Sequence, residues 1–478
     1  MWTINNRVRE NPIIIVVALV LLQSFFYVYF FSPGIYDELQ HYEFIKFYSS
    51  KLNPFISIQP VEADFLGEIT RSPTYLYYFI LSLPLRLIQF ITQDNMAGLY
   101  ILRAIHTLCF IAGIFAFKML FTRVGFGKYV SATALLMVVL IPATSGLPGS
   151  VNYDNLIFLL TPLSFIYLLD VLDTNFNRRK ILAYLCLGLF ACLIKFSFAP
   201  IFLVGTIVII FKAFKKRQES QISDNLKSLF SIKEPMYVVL VLLFVSLSIL
   251  FVERPVRNFI EFGNPNSECV KILSQERCSA NYIAKRNIDF KNGKPENFEP
   301  IGPLKYAQTL WSESLLKTTV YTGVGNQSLP IVQSIFSVLF TASPFFIAYH
   351  LRGIRASYGT VADIFVVTFL VYTGLFFVEV YTAYIDLGKP VAINFRYLLP
   401  VIPFFTLFFV ESLKIYKFIF NFVKIYHIIL LIGTLLLMTQ GGGIVGLFHN
   451  NQLYLSDAES KRTLFLNLQR YSRGILYE

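Results

Sequence analysis

Long apolar runs recur along the chain, separated by shorter polar segments. A helix needs about 20 apolar residues to cross a hydrocarbon core of roughly 30 Å, and most of these runs have about that length. The pattern predicts an all-α polytopic membrane protein with eleven spanning helices. The predicted spans lie near 12–31, 99–118, 129–146, 155–172, 181–195, 198–214, 235–252, 330–350, 361–381, 397–413 and 427–446.

The composition agrees with this class. Of the 478 residues, 55% are hydrophobic and 15% charged, too apolar a balance for a water-soluble fold. The formal charge of +12 would suit a nucleic-acid partner if the Lys and Arg residues lay on one face. They occur instead in short clusters between apolar runs, where they read as topology signals and imply no nucleic acid.

The apolar run 73–91 has about the length of a span but contains Pro84 and Arg86. If it crossed the membrane, the later basic clusters would lie opposite the basic N-terminus, which carries Arg7 and Arg9. If it lies along the outer interface, all of them share the inner side, as the positive-inside rule requires. We therefore predict an amphipathic or re-entrant helix on the outer face here. The clusters that decide this are Lys118/Arg123/Lys128, Arg178/Arg179/Lys180, Lys212/Lys215/Lys216/Arg217, Arg352/Arg355 and Lys414/Lys417/Lys424.

This topology divides the chain into three parts. Residues 1–214 form a membrane module with the outer loop 32–98, and residues 215–446 form a second module with the outer loop 253–329. Residues 447–478 form a short outer tail. Because the inner loops are short and basic, the chemistry is expected on the outer side, and a nucleotide-binding domain has no room inside.

Asp37, Glu38 and His41 follow directly after the first predicted span. Carboxylates also favour a helix N-terminus, so capping of the next helix is one interpretation. The functional interpretation is catalysis: partial desolvation raises the pKa of Asp37, which then acts as general base, with Glu38 beside it. His41 lies one helical turn later, where it can orient the acid, contact substrate or help to hold a divalent cation.

Several basic residues lie on the predicted outer side, against the positive-inside trend. Each one alone can be explained by a side chain that reaches to the interface. An anionic headgroup shared by all of them, such as a phosphate, explains the whole set. Asp154 opens the span near 155–172, either as a helix N-terminal charge or as a ligand for a polar substrate. The outer basic residues are Arg103, Lys195, Arg254, Arg257 and Arg396.

Cys269 and Cys278 share the long outer loop, in a compartment where disulfides persist. The sequence leaves open whether they are bridged. No His or Cys pair has the spacing of a zinc site.

Taken together and in order, these motifs resemble the GT-C superfamily of integral-membrane glycosyltransferases. The resemblance covers residues 1–214 and, locally, 385–410, whereas 253–329 has no recognised counterpart. Many members have two prolines where this chain has Pro73-Thr74, and most have a soluble C-terminal domain in place of a short tail. The matching features are Asp37-Glu38, the interface helix from Pro73, Arg103, Asp154, Lys195 and the Arg396-Tyr397-Leu398-Leu399-Pro400-Val401-Ile402-Pro403 element.

The resemblance implies an inverting hexosyltransferase on the outer face of a bacterial inner membrane, with the N-terminus cytoplasmic. The donor would be a sugar on undecaprenyl phosphate and the acceptor an envelope glycan or glycolipid such as lipopolysaccharide O-antigen. Asp37 would be the base, and Glu38, His41 and Asp154 would position substrate. The basic residues, with Tyr397 beside Arg396, would bind the donor. No cofactor is certain, and a divalent metal on Asp37, His41 and Asp154 stays open.

Two other classes share this topology. A polysaccharide polymerase or ligase would rely on outer arginines or histidines more than on an acidic pair after the first span. A lipid-linked-sugar flippase or transporter would need charges along the spans and internal repeats, neither of which the sequence favours.

Overall fold

The computed structural model describes residues 11–30, 37–92, 94–174, 176–218, 235–265, 268–319 and 330–414. Within these ranges the chain is helical and contains no strand. The helices are α1 (Ile13–Phe30), α2 (Glu38–Ser49), α3 (Tyr75–Ile91), α4 (Asn95–Val124), α5 (Lys128–Leu140), α6 (Tyr153–Asp173), α7 (Arg178–Ile194), α8 (Ala199–Gln218), α9 (Pro235–Phe262), α10 (Tyr282–Asn292), α11 (Ser312–Thr319), α12 (Pro330–Leu387) and α13 (Ile402–Lys414). Short turns of helix occur at Val61–Leu66, Pro142–Ser145, Leu147–Gly149, Phe196–Phe198, Cys269–Ile272, Gln275–Cys278, Pro303–Tyr306, Ala307–Trp311 and Phe395–Leu398.

The predicted all-helical class is confirmed. In the part of the chain that the structure describes, five helices are long and apolar enough to cross a membrane, or six if a bent pair counts as one span. The predicted span 427–446 and the tail 447–478 lie outside the described residues. The five stretches are Met96–Val124, Tyr153–Asp173, Phe196–Lys215, Pro235–Phe262 and Ser343–Leu387.

The predicted span 129–146 does not continue as one straight helix. α5 ends at Leu140, and the axis turns by 94° between Lys128–Leu140 and Ala143–Gly149. Pro142 begins the next short turn, where proline is tolerated because the first helical N–H has no partner in the helix. A Cβ on Gly146 would lie 2.5 Å from the ring of Tyr27. Glycine therefore allows the bent segment to pack closely against α1.

Two further predicted boundaries differ in the structure. α9 continues to Phe262, ten residues beyond the predicted end, so the start of the predicted outer loop is helical. The predicted spans 330–350 and 361–381 form one helical stretch, α12, with a break at Gly359. Gly359 has φ 58° and ψ −145°, a conformation that is essentially confined to glycine.

Polar contacts concentrate at two ends of the helix bundle. At one end Arg123 and Lys180 form ion pairs with Asp170, and Lys118 donates to Asn11. We call this the basic end, since it contains Lys118, Arg123 and Lys180, which the sequence assigned to the inner side. The other end, where α4 and α6 begin and α7 ends, contains the candidate site.

α2 and α3 form a layer over the site end. α3 is 17 residues long and buries one face against α2 and α4 while its other face is exposed. Arg86 of α3 donates to the carbonyl oxygens of Tyr48 and Lys51 at the end of α2. This two-sided character is what an amphipathic helix at an interface requires.

Candidate active site

Glu38 and Arg103 form a buried bidentate ion pair. Arg103 Nε lies 2.8 Å from Glu38 Oε1, and Arg103 Nη2 lies 2.6 Å from Glu38 Oε2. Nη1 of Arg103 donates to the carbonyl oxygens of Tyr27 and Val28, and the amide of Val151 donates to Glu38 Oε1. Each side chain is about 1% exposed. The pair thus ties α1, α2, α4 and the 150–152 segment together, which is a structural task.

Asp37, one residue earlier, has different surroundings. Its backbone lies in the left-handed region, with φ 63°, and its side chain makes no capping hydrogen bond to α2. The carboxylate pairs with Arg396 through Oδ2 and accepts a hydrogen bond from Tyr282 Oη, 2.8 Å from Oδ1. Strained backbone that is held by surrounding contacts concentrates at functional sites. The capping interpretation of Asp37 therefore lacks support in the geometry.

Two opposing effects act on the Asp37 carboxyl group. Burial raises its pKa, but the charge and hydrogen bond of Arg396 lower it by more, so the pKa lies below its usual value. The raised pKa that the sequence suggested for a desolvated base is therefore wrong for this state. Burial lowers the pKa of His41 to about 3, so its imidazole is neutral at neutral pH.

A second ion pair joins Asp154 to Lys195. Asp154 is 1% exposed and its Oδ1 accepts from Lys195 Nζ, which comes from the residue directly after α7. The cap of α6 is Asn152, whose Oδ1 accepts from the amide of Asp154 at 2.9 Å. Because Asn152 performs the capping, the Asp154 carboxylate is available for its pair with Lys195.

Two tyrosines connect the two ion pairs. The ammonium of Lys195 lies 4.5 Å from the ring centre of Tyr153 and 4.9 Å from that of Tyr397. The guanidinium of Arg396 lies 5.1 Å from the same Tyr397 ring, and the His41 ring lies 4.6 Å from that of Tyr153. Cations close to aromatic faces are partly stripped of water. We call the connected set the site cluster: Asp37, His41, Tyr153, Asp154, Lys195, Arg396 and Tyr397.

Among the buried polar atoms of the site cluster, His41 Nε2 and Asp154 Oδ2 have no hydrogen-bond partner within the described residues. The other nitrogen of His41, Nδ1, lies 3.0 Å from Tyr78 Oη, and the other oxygen of Asp154 is paired with Lys195. Buried polar atoms normally have partners, so a polar ligand is a natural source of the missing ones.

Arg254 and Arg257, expected to bind a phosphate, do not join the site cluster. Arg254 is buried, lies 3.8 Å from the ring centre of Tyr75 and donates to the carbonyl oxygens of Ile69 and Ser72. Arg254 thereby links the outer loop 32–98 to α9. The side chain of Arg257 is 52% exposed and pairs along α9 with Glu253 and Glu261. Arg103 is likewise engaged by Glu38.

The residues raised for a divalent metal do not form a suitable donor set. Both oxygens of Asp37 accept from protein donors, and Asp154 is paired with a lysine. In the described ranges, no group of three His, Cys, Asp or Glu side chains is placed to hold a metal ion.

Sequence reasoning missed Tyr153, Tyr78 and Tyr282. The first two could have been found, since Tyr153 precedes Asp154 at the start of α6 and Tyr78 lies one turn into the interface helix. Tyr282 had no local signal, because it reaches Asp37 from 245 positions away. Its segment includes a disulfide between Cys269 and Cys278, with an S–S distance of 2.09 Å.

No known protein-family model and no curated protein matches this chain.

Proposed function

We propose that the chain is an inverting glycosyltransferase that moves a sugar from undecaprenyl phosphate to a glycan or glycolipid of the cell envelope. One observation carries the proposal. Asp37, Asp154, Lys195 and Arg396 are far apart in the sequence, yet they converge as two ion pairs around shared tyrosines, and all of them except Asp37 are buried. Buried charges are costly and are retained where they have work to do.

The two cations suit a phosphate of a lipid-linked donor. Lys195 has three N–H donors, of which Asp154 accepts one, and the rings of Tyr153 and Tyr397 flank its ammonium. In such a partly dry site, a cation stabilises the charge that develops on a leaving phosphate more strongly than it would in water. Lys195 and Arg396 are therefore the groups that make the lipid phosphate a good leaving group.

Asp37 is the general base of this scheme. While Arg396 pairs with it, the carboxylate is ionised but weakly basic, since its pKa is held low. A donor phosphate that attracts Arg396 relieves this effect, so donor binding raises the basicity of Asp37. Asp37 then removes the proton of the acceptor hydroxyl, and the acceptor oxygen attacks the anomeric carbon. The bond to the phosphate oxygen breaks with inversion at that carbon.

Polar groups of the sugars supply the remaining contacts. The buried atoms Asp154 Oδ2 and His41 Nε2 lie next to the two ion pairs and suit ring hydroxyls. The site cluster is at the opposite end of the bundle from the ion pairs of Arg123 and Lys180. By the positive-inside rule, that arrangement supports a site on the outer face of the inner membrane.

The direct test is transfer by the purified chain in detergent, with a panel of undecaprenyl-phosphate sugars and envelope glycans. We expect transfer from one donor, and a loss of about 100-fold or more in Asp37→Asn, as is typical when a general base is removed. Product analysis should show inversion at the anomeric carbon.

The matched control is Asp173→Asn. Asp173 ends the helix that begins beside Asp154, roughly 30 Å away along α6, and it pairs with Arg123 at the basic end. This variant should transfer as the wild type does. Near-native transfer by Asp37→Asn, or failure of the wild type to bind or use any lipid-linked sugar, would contradict the proposal and favour a polymerase or transporter.

A further inference from the structure

Both oxygens of Asp37 are occupied by protein donors, but the two partners differ. Arg396, on Oδ2, is 4% exposed and surrounded by the site cluster. Tyr282, whose Oη lies 2.8 Å from Oδ1, is 56% exposed. One partner is fixed in the interior, whereas the other approaches from the surface and can leave without uncovering buried charge.

The segment that carries Tyr282 is anchored immediately before it. Arg277 forms a bidentate ion pair with Asp64, at 2.6 and 2.7 Å. Asn281 Nδ2 donates to the carbonyl oxygen of Phe65 at 2.9 Å, while Asn281 Oδ1 accepts from the first amides of α10. The disulfide between Cys269 and Cys278 lies just before Asn281 in the sequence. Tyr282, the first residue of α10, is thus held at Asp37 by contacts with the outer loop 32–98.

The other end of α10 is attached to a different element. Lys294 Nζ donates to the carbonyl oxygens of Ile385 and Asp386 at 2.6 and 3.2 Å, and Lys291 forms an ion pair with Asp386. Residues 268–294, which we call the α10 strap, therefore bridge from the outer loop 32–98 to the end of α12. The strap passes the exposed side of Asp37.

We propose that the Tyr282 hydroxyl occupies the position at Asp37 Oδ1 that the acceptor hydroxyl takes during transfer. We also propose that the α10 strap recognises the acceptor. This inference rests on the function proposed above. A phenol and a sugar hydroxyl offer the same O–H donor, so one can replace the other on a carboxylate oxygen. Until a glycan displaces it, the phenol keeps water from the base. Tyr282 is a positioning residue that prevents loss of the donor by hydrolysis.

The two competing reactions differ in the nucleophile alone. In transfer, the acceptor O–H gives its proton to Asp37 and its oxygen bonds to the anomeric carbon, while the lipid phosphate leaves with the electron pair of the broken C–O bond. In hydrolysis, water takes the acceptor's part and the products are free sugar and lipid phosphate. Removal of the Tyr282 hydroxyl should therefore favour hydrolysis.

The experiment measures both products for wild type and Tyr282→Phe. The variant should raise the ratio of free sugar to transferred sugar about tenfold, since one hydrogen bond to a charged group is lost. The KM for acceptor should fall, because the acceptor no longer competes with the phenol. The acid limb of the pH profile should move up, because the Tyr282 hydrogen bond lowers the Asp37 pKa together with the charge and hydrogen bond of Arg396.

The control is Tyr381→Phe, which removes a phenol that donates to Ile301 on the same outer side but does not touch Asp37. It should leave all three readouts unchanged. If Tyr282→Phe is poorly folded, hydrogen exchange of the wild type replaces it: added acceptor glycan should speed exchange in 282–292 and leave 303–319 unchanged.

The outcomes separate this inference from the function it rests on. Unchanged product ratio, KM and pH limb in Tyr282→Phe, with activity that still depends on Asp37, would overturn the role of Tyr282 alone. So would a uniform fall in rate, or, in the exchange experiment, no change in 282–292. Absence of any Asp37-dependent transfer or hydrolysis by the wild type would overturn both proposals.

Discussion

The carboxylates of the neighbouring residues Glu38 and Asp37 differ in burial and in their hydrogen-bond partners. Glu38 is fully buried and meets Arg103 through both oxygens, with a backbone amide as third donor. Asp37 has a side chain that is 35% exposed and a surface tyrosine as one of its two partners. The left-handed backbone at Asp37 lets consecutive side chains reach different surroundings, at a cost of roughly 1 kcal/mol or more.

The contrast teaches how an acidic pair divides its work. A carboxylate saturated by a guanidinium fork and an amide has no oxygen left for a substrate, and moving it would leave a bare charge inside the protein. A carboxylate with one displaceable partner can exchange that partner for a hydroxyl. On this comparison Glu38 holds the site end together, and Asp37 is the carboxylate that we propose to react.

The largest effect should come from breaking the inner pair. Glu38→Gln leaves the guanidinium of Arg103 buried without its carboxylate, which costs about 3 to 5 kcal/mol. We expect a large fall in the thermal midpoint in detergent and in the yield of folded protein. The double variant Glu38→Gln with Arg103→Met should recover much of the loss, since no buried charge remains. A Glu38→Gln protein that is as stable as the wild type yet inactive would contradict the structural role of Glu38 and support a catalytic one.

Removing the second pair should affect donor binding more than stability. Asp154→Asn with Lys195→Met leaves no unpaired buried charge, so the fold should persist. Loss of a charge-assisted contact to the phosphate should raise the KM for lipid-linked donor roughly 10- to 100-fold.

Two controls sharpen that measurement. The neutralised inner pair, Glu38→Gln with Arg103→Met, and the exposed Arg257→Met should change the donor KM less than about twofold, since surface ion pairs contribute little. An unchanged donor KM in the Asp154 and Lys195 double variant would remove Lys195 from the phosphate site.

The smallest effect is a displacement of the pH profile. The pKa of Asp37 is lowered in the folded protein, so the ion pair with Arg396 adds stability above the ordinary carboxyl range. That contribution is lost as the pH falls through the lowered pKa. Wild-type kcat/KM should therefore stay level from neutral pH into mild acid. In Arg396→Gln the acid limb should move to higher pH, which rate measurements from about pH 3 to 8 would reveal. An acid limb at the same pH would show that Arg396 does not control Asp37.

Much of the fold could be predicted, because apolar run length is a strong signal in membrane proteins. The all-helical class, a helix in the run 73–91 and the position of Asp37 and Asp154 beside helix starts follow from that signal. The bend after Leu140 and the extension of α9 to Phe262 do not, since hydropathy gives no information about packing. A helix that leaves the membrane can continue wherever its backbone hydrogen bonds remain satisfied.

The charged residues of the site cluster could be named from the sequence, but their pairing could not. Positive charge on the predicted outer side was the signal for all five basic residues, because hydropathy treats all cations alike. It therefore did not separate Lys195 and Arg396 from Arg103, Arg254 and Arg257. Tertiary contacts decide which of them face a ligand. Arg103 and Arg254 are engaged by Glu38 and by backbone carbonyls, contacts that span 65 and more than 180 positions.

The long sequence separations around Asp37 also impose an order on its biosynthesis. Its two partners, Tyr282 and Arg396, are synthesised 245 and 359 residues after it. At 5–20 residues per second, the ribosome reaches Arg396 roughly 20 to 70 s after Asp37. Through that interval the nascent chain contains Asp37 without the cation that pairs with it. The contacts of Asp37 are thus assembled from early and late parts of the described chain, and under the proposed function a chain released early would be inert toward lipid-linked sugars.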